Sequence, residues 1–150
     1  MEIPTIILQE NARISVGYQE NLAEANTKKT IILKGNREGF FALSNSLLYV
    51  LASLRDSFLL SDFSFVDSKD GILVEVVINE YKKAKDLENI GELSTQDNKN
   101  YKWKVDENNL SVIAGAIQSL GYKNNEVTID HLHIDSGVSR DGISVYCVVE

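Results

Sequence analysis

Asp70-Gly71-Ile72-Leu73-Val74-Glu75-Val76-Val77-Ile78 and Asp141-Gly142-Ile143-Ser144-Val145-Tyr146-Cys147-Val148-Val149 align without a gap from a shared Asp-Gly-Ile. Each is an apolar run rich in β-branched residues, opened by a turn dipeptide that favours positive φ, which is the pattern of a strand entered through a tight turn. Two such strands far apart in one chain point to an internal repeat.

Working back from each closing strand, the same order of patterns appears twice. Asp62 to Val66 leads into Ile72 to Asn79, and Val127 to Ile134 leads into Ile143 to Val149, so each pair reads as a β-hairpin. Ahead of each hairpin, Phe40, Leu43, Leu47, Val50 and Leu54 match Leu110, Ile113, Ile117 and Leu120 at the same spacings. Intervals of three and four draw one apolar stripe along each helix. Asn36 and Asp106 supply the N-cap acceptors, and Gly121 is expected to end the second helix as a glycine beyond its last turn. Each helix follows a strand: Thr30-Ile31-Ile32-Leu33-Lys34, apolar on both faces, and Tyr101-Lys102-Trp103-Lys104-Val105, which alternates.

The organisation expected from this is a single domain over residues 1–150. It comprises an N-terminal hairpin (1–29, from Thr5 to Leu8 and Arg13 to Tyr18), repeat one (30–80), a solvated linker (81–100) and repeat two (101–150). One β-α-β-β unit leaves a sheet edge and half of its apolar face open, and pairing two units covers both. The expected fold is therefore α+β: a two-layer sandwich of tandem β-α-β-β repeats, with two helices on one face of a mainly antiparallel sheet of six to eight strands.

With 43% apolar and 25% charged residues the chain has the make-up of a globular domain, and its single cysteine, Cys147, fits a reducing setting. Fifteen Lys and Arg against twenty-two Asp and Glu give a net charge of −7, which argues against nucleic acid and anionic membranes and would favour encounter with a basic protein, the plainer reading being a charge that keeps the surface soluble. The apolar stretch from Phe40 to Leu60 is broken by Ser44, Asn45, Arg55 and Asp56, so no span of a bilayer is expected. No basic region precedes an apolar core near Met1, so a secretory signal is not expected, and the expected location is the cytoplasm.

Candidate chemistry centres on His131-Leu132-His133-Ile134-Asp135, where strand alternation puts His131, His133 and Asp135 on one face. Two histidines are all the chain has, so a zinc site would need carboxylates from elsewhere, and the expected content is no metal and no cofactor. The plainer reading is that the two imidazoles half cover the exposed face of a strand while Asp135 opens the following turn, and recognition of a partner by the paired histidines is the intermediate reading between that and a metal site. Lys34-Gly35-Asn36-Arg37-Glu38-Gly39 lacks both nucleotide-binding spacings and reads as a cap and tight turn. Cys147 lies inside an apolar strand and no serine stands in a nucleophile elbow, so no catalytic residue is expected. Among the aromatics, Trp103 reads as core, while Tyr49, Tyr101, Tyr122 and Tyr146 include candidates for an interface anchor.

Gly35-Asn36-Arg37-Glu38-Gly39-Phe40, followed by the helix through Leu43, Leu47 and Leu48, resembles a pattern found in small immunity proteins of bacterial polymorphic toxin systems. In that pattern a strand ends in G-N-x-E-G-[LF], a Leu-rich helix follows, and a strand with H-[IL]-H-[IL]-D precedes a closing strand. His131 to Asp135 with Ile143 to Val149 matches the second part. Here the two parts fall in different repeats: Asp62-Phe63-Ser64-Phe65-Val66-Asp67 stands where repeat one would carry the histidines, and repeat two lacks the glycines.

The resemblance implies a non-enzymatic protein that binds and neutralises a cognate toxin, a basic one being favoured by charge. The contact groups expected for that role are His131, His133 and Asp135 with the acidic linker residues Asp86, Glu88, Glu92 and Asp97. The competing reading is a small-molecule-binding or regulatory module with a ligand or homodimer site at the junction between repeats.

Overall fold

The computed structural model describes residues 11–25, 27–53, 55–78, 91–122, 129–134 and 142–150. Its elements are β1 (Ile14–Glu20), β2 (Lys29–Gly35), α1 (Arg37–Ala52), β3 (Ser57–Leu59), a 3-10 turn (Leu60–Asp62), β4 (Val66–Ser68) and β5 (Leu73–Ile78). The second half contributes β6 (Glu92–Thr95), β7 (Asn100–Val105), α2 (Glu107–Gly121), β8 (His131–Ile134) and β9 (Ile143–Val149). The class is mixed α+β.

The strands form two sheets, ordered β4-β1-β2-β9-β8 and β3-β5-β7-β6, rather than the single sheet expected. The reason lies in how the halves exchange partners. β2 pairs in parallel with β9, the last strand of the other half, while β5 pairs in parallel with β7, the strand that leads into the helix of that half. A strand has two edges, and β1 and β6 take the remaining edges of β2 and β7 in antiparallel pairs. No edge is left for β2 to meet β5, so each half is divided between two sheets. The registers at the two joins are equivalent: Lys34 faces Val148, and Lys104 faces Val77.

Two further expectations are corrected. Asp62 to Val66 is no hairpin arm: Asp62 Oδ2 accepts the Leu59 N–H at 3.0 Å and closes the 3-10 turn, β3 is the antiparallel partner of β5, and β4 pairs in parallel with β1. Phe63 stacks on Phe65 at 5.8 Å and meets Phe58 at 5.5 Å, and this aromatic packing holds the segment off the β5 ladder. The stretch assigned to a linker contains β6, because Gly91, at φ +92, lets the chain turn against Lys104 and Val105. The described partners of β1 are β2 and β4; Thr5 to Leu8 and residues 81–90 lie outside the described residues.

Both helices start as their sequences dictate. Asn36 Oδ1 accepts from the Gly39 N–H at 2.8 Å, and Asp106 Oδ1 accepts from the Asn109 N–H at 2.6 Å. Phe40, Leu43, Leu47 and Val50 of α1 and Leu110, Ile113, Ile117 and Leu120 of α2 are all buried, in one cluster with both sheets. The helices run antiparallel: Ser44 Oγ donates to the Ala114 carbonyl at 2.8 Å where they cross, and the end of α2 meets the start of α1. There Gly121 is not a glycine beyond the last turn but the last residue of α2, and a Cβ on it would stand 2.8 Å from that of Phe41. Close approach, not backbone conformation, is what requires glycine.

The Gly35 to Gly39 segment carries the junction with β1. The Asn36 side chain accepts from the Arg13 N–H at 3.0 Å and donates to the Asn11 carbonyl at 2.6 Å, while the Asn36 N–H donates to the Arg13 carbonyl at 3.1 Å. Both glycines lie under that Arg13 peptide: a Cβ on Gly39 would stand 2.8 Å from its carbonyl carbon, and one on Gly35 would stand 2.7 Å from Ile14 Cδ1. Arg37 reaches the opposite way, donating from Nη1 to the carbonyls of Leu120, Tyr122 and Ile129 at 3.0–3.2 Å. A cation thus satisfies otherwise unpaired acceptors at the C-terminal end of α2.

Because backbone cannot yield as a flexible side chain does, Gly39→Ala is expected to lower stability by about 3 kcal/mol. Urea unfolding measures it. Gly17→Ala is the control: a Cβ there meets nothing within 4 Å, and it should shift the midpoint little.

Candidate protein-binding face

β8 is the end strand of its sheet among the described residues, and its side chains alternate between solvent and core: His131 and His133 are exposed, and Ile134 is buried. Antiparallel pairing with β9 sets His131 opposite Val148 and His133 opposite Tyr146. The three rings gather on one face. His133 and Tyr146 are 4.8 Å apart between centroids, His131 and His133 meet edge-on at 5.6 Å, and His131 is 6.2 Å from Tyr146.

Register carries this face across the sheet. His133 lies opposite Tyr146, Tyr146 opposite Ile32, and Ile32 opposite Gly17, giving one row over four strands. Tyr146 and Ile32 are half-buried, and Gly17 leaves open space above the sheet. Around Gly17 lies a recess of about 570 Å³ bordered by Ser15, Ile32, Lys34 and Asp67. The equivalent row of the other sheet is Leu59, Glu75, Lys102 and Ser94. The frame is shared, and the ring cluster belongs to one side only.

Carboxylates lie close to the rings. Asp130 Oδ1 is 2.8 Å from His131 Nδ1, and this hydrogen bond is the main reason that the Asp130 carboxyl stays below its usual range. Burial raises the Tyr146 phenol, and the charges of Glu24 and Asp130 push it the same way. An electronegative aromatic surface is suited to basic and amphipathic groups of a protein partner.

The remaining expected contact residues do not join this row. Glu92 faces Lys104 on the four-stranded sheet. Asp97 organises the β6–β7 turn: its oxygens accept from the Asn100 backbone and side-chain N–H groups at 2.8 Å and from the Lys99 N–H at 2.9 Å. Those bonds, the Asn100 backbone bond foremost, hold its carboxyl well below the usual carboxylate range. Asp86, Glu88 and Asp135 lie outside the described residues. Sequence reasoning did not single out Ile32 and Gly17, or set Tyr146 beside the histidines; the signal was the alternation of β9, once its partners are known. Tyr101 and Trp103 are core, while Tyr49 and Tyr122 are exposed.

Cys147, fully buried on the core side of β9, has its thiol pushed up to about 12 by burial. Among the described residues, no group of three or more His, Cys, Asp or Glu side chains is placed to hold a metal ion. No helix there is long and apolar enough to cross a membrane. Comparison with protein-family models, curated proteins and solved structures finds no match to the chain.

Two measurements check this electrostatic description. In His131→Ala the Asp130 carboxyl is expected to titrate higher than in wild type, back towards the ordinary value of about 3.9, as read by carbon NMR. Cys147 is expected to react with an aromatic disulfide reagent at the rate of unfolding, so that the reaction in native buffer is slow and urea restores the rate of a free thiol.

Proposed function

We propose that the protein is a non-enzymatic protein-binding module, an immunity protein that binds a cognate bacterial toxin and covers a surface which that toxin needs. The observation that carries this reading is the exposed row of His133, Tyr146 and Ile32, with His131 beside it, ending in the recess over Gly17. Rings on a rigid sheet lose little conformational freedom on binding, and such anchors supply most of the affinity at protein interfaces. The resemblance of the Gly35 to Phe40 and His131 to Asp135 segments to immunity proteins supports the same reading.

Charge supports it as well. A net charge of −7, with Asp130 and Glu24 close to the rings, attracts a cationic toxin such as a nuclease and speeds encounter at low salt. The protein would then work by occupancy, its hold set by the dissociation rate of a contact centred on the ring row.

The test is calorimetric titration with the purified toxin domain encoded beside the gene. Wild type is expected to bind with an affinity that falls as salt rises. Both histidines are exposed, so His131→Ala/His133→Ala should keep wild-type stability yet bind at least tenfold more weakly, a loss of about 1.4 kcal/mol or more. Absence of binding by wild type, or equal binding by the variant, would refute the proposal.

A further inference from the structure

The charge of both helices is confined to their first turns. Arg37 and Glu38 open α1 and Glu107 opens α2, while Gly39 to Ala52 and Asn108 to Gly121 contain no charged residue, in a chain that is 25% charged. A helix face turned to water ordinarily carries charge. Here it carries apolar side chains instead. Among the described residues the exposed large hydrophobics are Leu48, Tyr49, Val112, Tyr122 and Ile129, and all but Ile129 stand on the helices or directly after α2. Tyr122 leans back on Phe41, with ring centroids 5.5 Å apart, which carries the patch from one helix to the other.

A glycine on this face points to close approach from outside. Phe41 accounts for Gly121, but nothing in the fold accounts for Gly115, which is exposed in the middle of α2 and where a Cβ would meet nothing within 4 Å. Glycine inside a helix is less stable than alanine, so within the single chain Gly115 brings only a cost. Val112, Gly115, Ser119 and Tyr122 follow one another at intervals of three and four and so share one face of α2. Gly115 leaves a gap in that row, and a gap of this kind sets how near a facing helix can pack.

We propose that the helix face is the contact between two copies of this chain, related by a twofold axis. Charge selects this occupant. Copies that each carry −7 repel where their charged surfaces meet, and a face without charge lets them approach with no like charges opposed. A basic partner gains little there, since the face offers no carboxylate beyond the first turns. Because α1 and α2 run antiparallel, laying α1 of one copy on α2 of the other closes the pair with two equivalent contacts. Leu48 and Tyr49 of each copy then face the gap at Gly115 of the other. A face about 22 Å long and two helix diameters, about 20 Å, wide is on the scale of a small, reversible interface. His131 and His133 lie on the side of β8 away from buried Ile134 and the core that the helices share, so the dimer leaves the ring row uncovered and does not depend on the toxin reading.

The experiment is sedimentation velocity of the full chain from about 5 to 500 µM, where a rise towards the dimer is expected with a dissociation constant below about 200 µM. Val112→Glu, at an exposed position, should leave the fold intact and weaken association at least tenfold. Gly115→Glu separates a contact from a structural role. It puts a helix-forming residue in place of glycine, so the Tm of the dilute protein should rise while association weakens at least tenfold. His131→Ala/His133→Ala is expected to associate as wild type does. A single species of monomer mass up to about 500 µM overturns the proposal. So does association that Val112→Glu and Gly115→Glu leave unchanged, or that the histidine variant loses, because the contact would then lie elsewhere. A lower Tm in dilute Gly115→Glu also overturns it, since the glycine would then be serving the single chain.

Discussion

Everything in this fold hangs on two parallel strand pairs, β2 with β9 and β5 with β7. Each joins the strand that leads into the helix of one half to the last strand of the other. Without them β2 and β7 would each expose a full edge of N–H and C=O groups, and the inner residues Ile31, Leu33, Val74 and Val76 would lose half of their cover. The helices repeat the same dependence, for Gly121 admits Phe41 and Ser44 bonds to Ala114 only when both halves are present.

This reciprocity separates residues held by the fold from residues that are not. Asn36, with three hydrogen bonds and two glycines around it, fixes β1 over the start of α1, so the Gly-Asn-x-Glu-Gly segment is fully accounted for by architecture. Arg37 ties α1 to the end of α2 and to the chain entering β8. The rings of His131, His133 and Tyr146 answer no such demand, since Ser57, Leu59 and Glu75 occupy the equivalent register in the other sheet. Gly115 and the exposed Val112 beside it answer none either.

Local periodicity made much of this legible in the sequence. The helix stripes, both N-caps and the placement of the two histidines on one strand face follow from spacing alone, because each depends on neighbours a few residues away. The division into two sheets does not, since which edge of β2 meets which distant strand is a long-range choice that alternation leaves open. β6 was hidden for a different reason: Glu92 to Thr95 is short and polar, and only the positive φ of Gly91 and pairing with Trp103 and Lys104 make it a strand. Asp62 to Val66 misled because its alternating phenylalanines are those of a strand, yet Phe63 packs on Phe58 and Phe65 stacks on Phe63. The helix face did leave a trace, since Gly39 to Ala52 and Asn108 to Gly121 contain no charged residue.

The central place of β9 also governs when the protein can form at all. β9 is the last of the described strands in chain order, yet it sits between β2 and β8, so the five-stranded sheet stays split until residue 149 has left the ribosome. During synthesis the first half waits with β2 and β5 lacking their partners, and its apolar strand edges are open to capture by chaperones or by other nascent chains. A chain stalled before Ile143 would therefore expose the edge of β2 that β9 conceals, and quality control could read the arrival of that one strand directly from it.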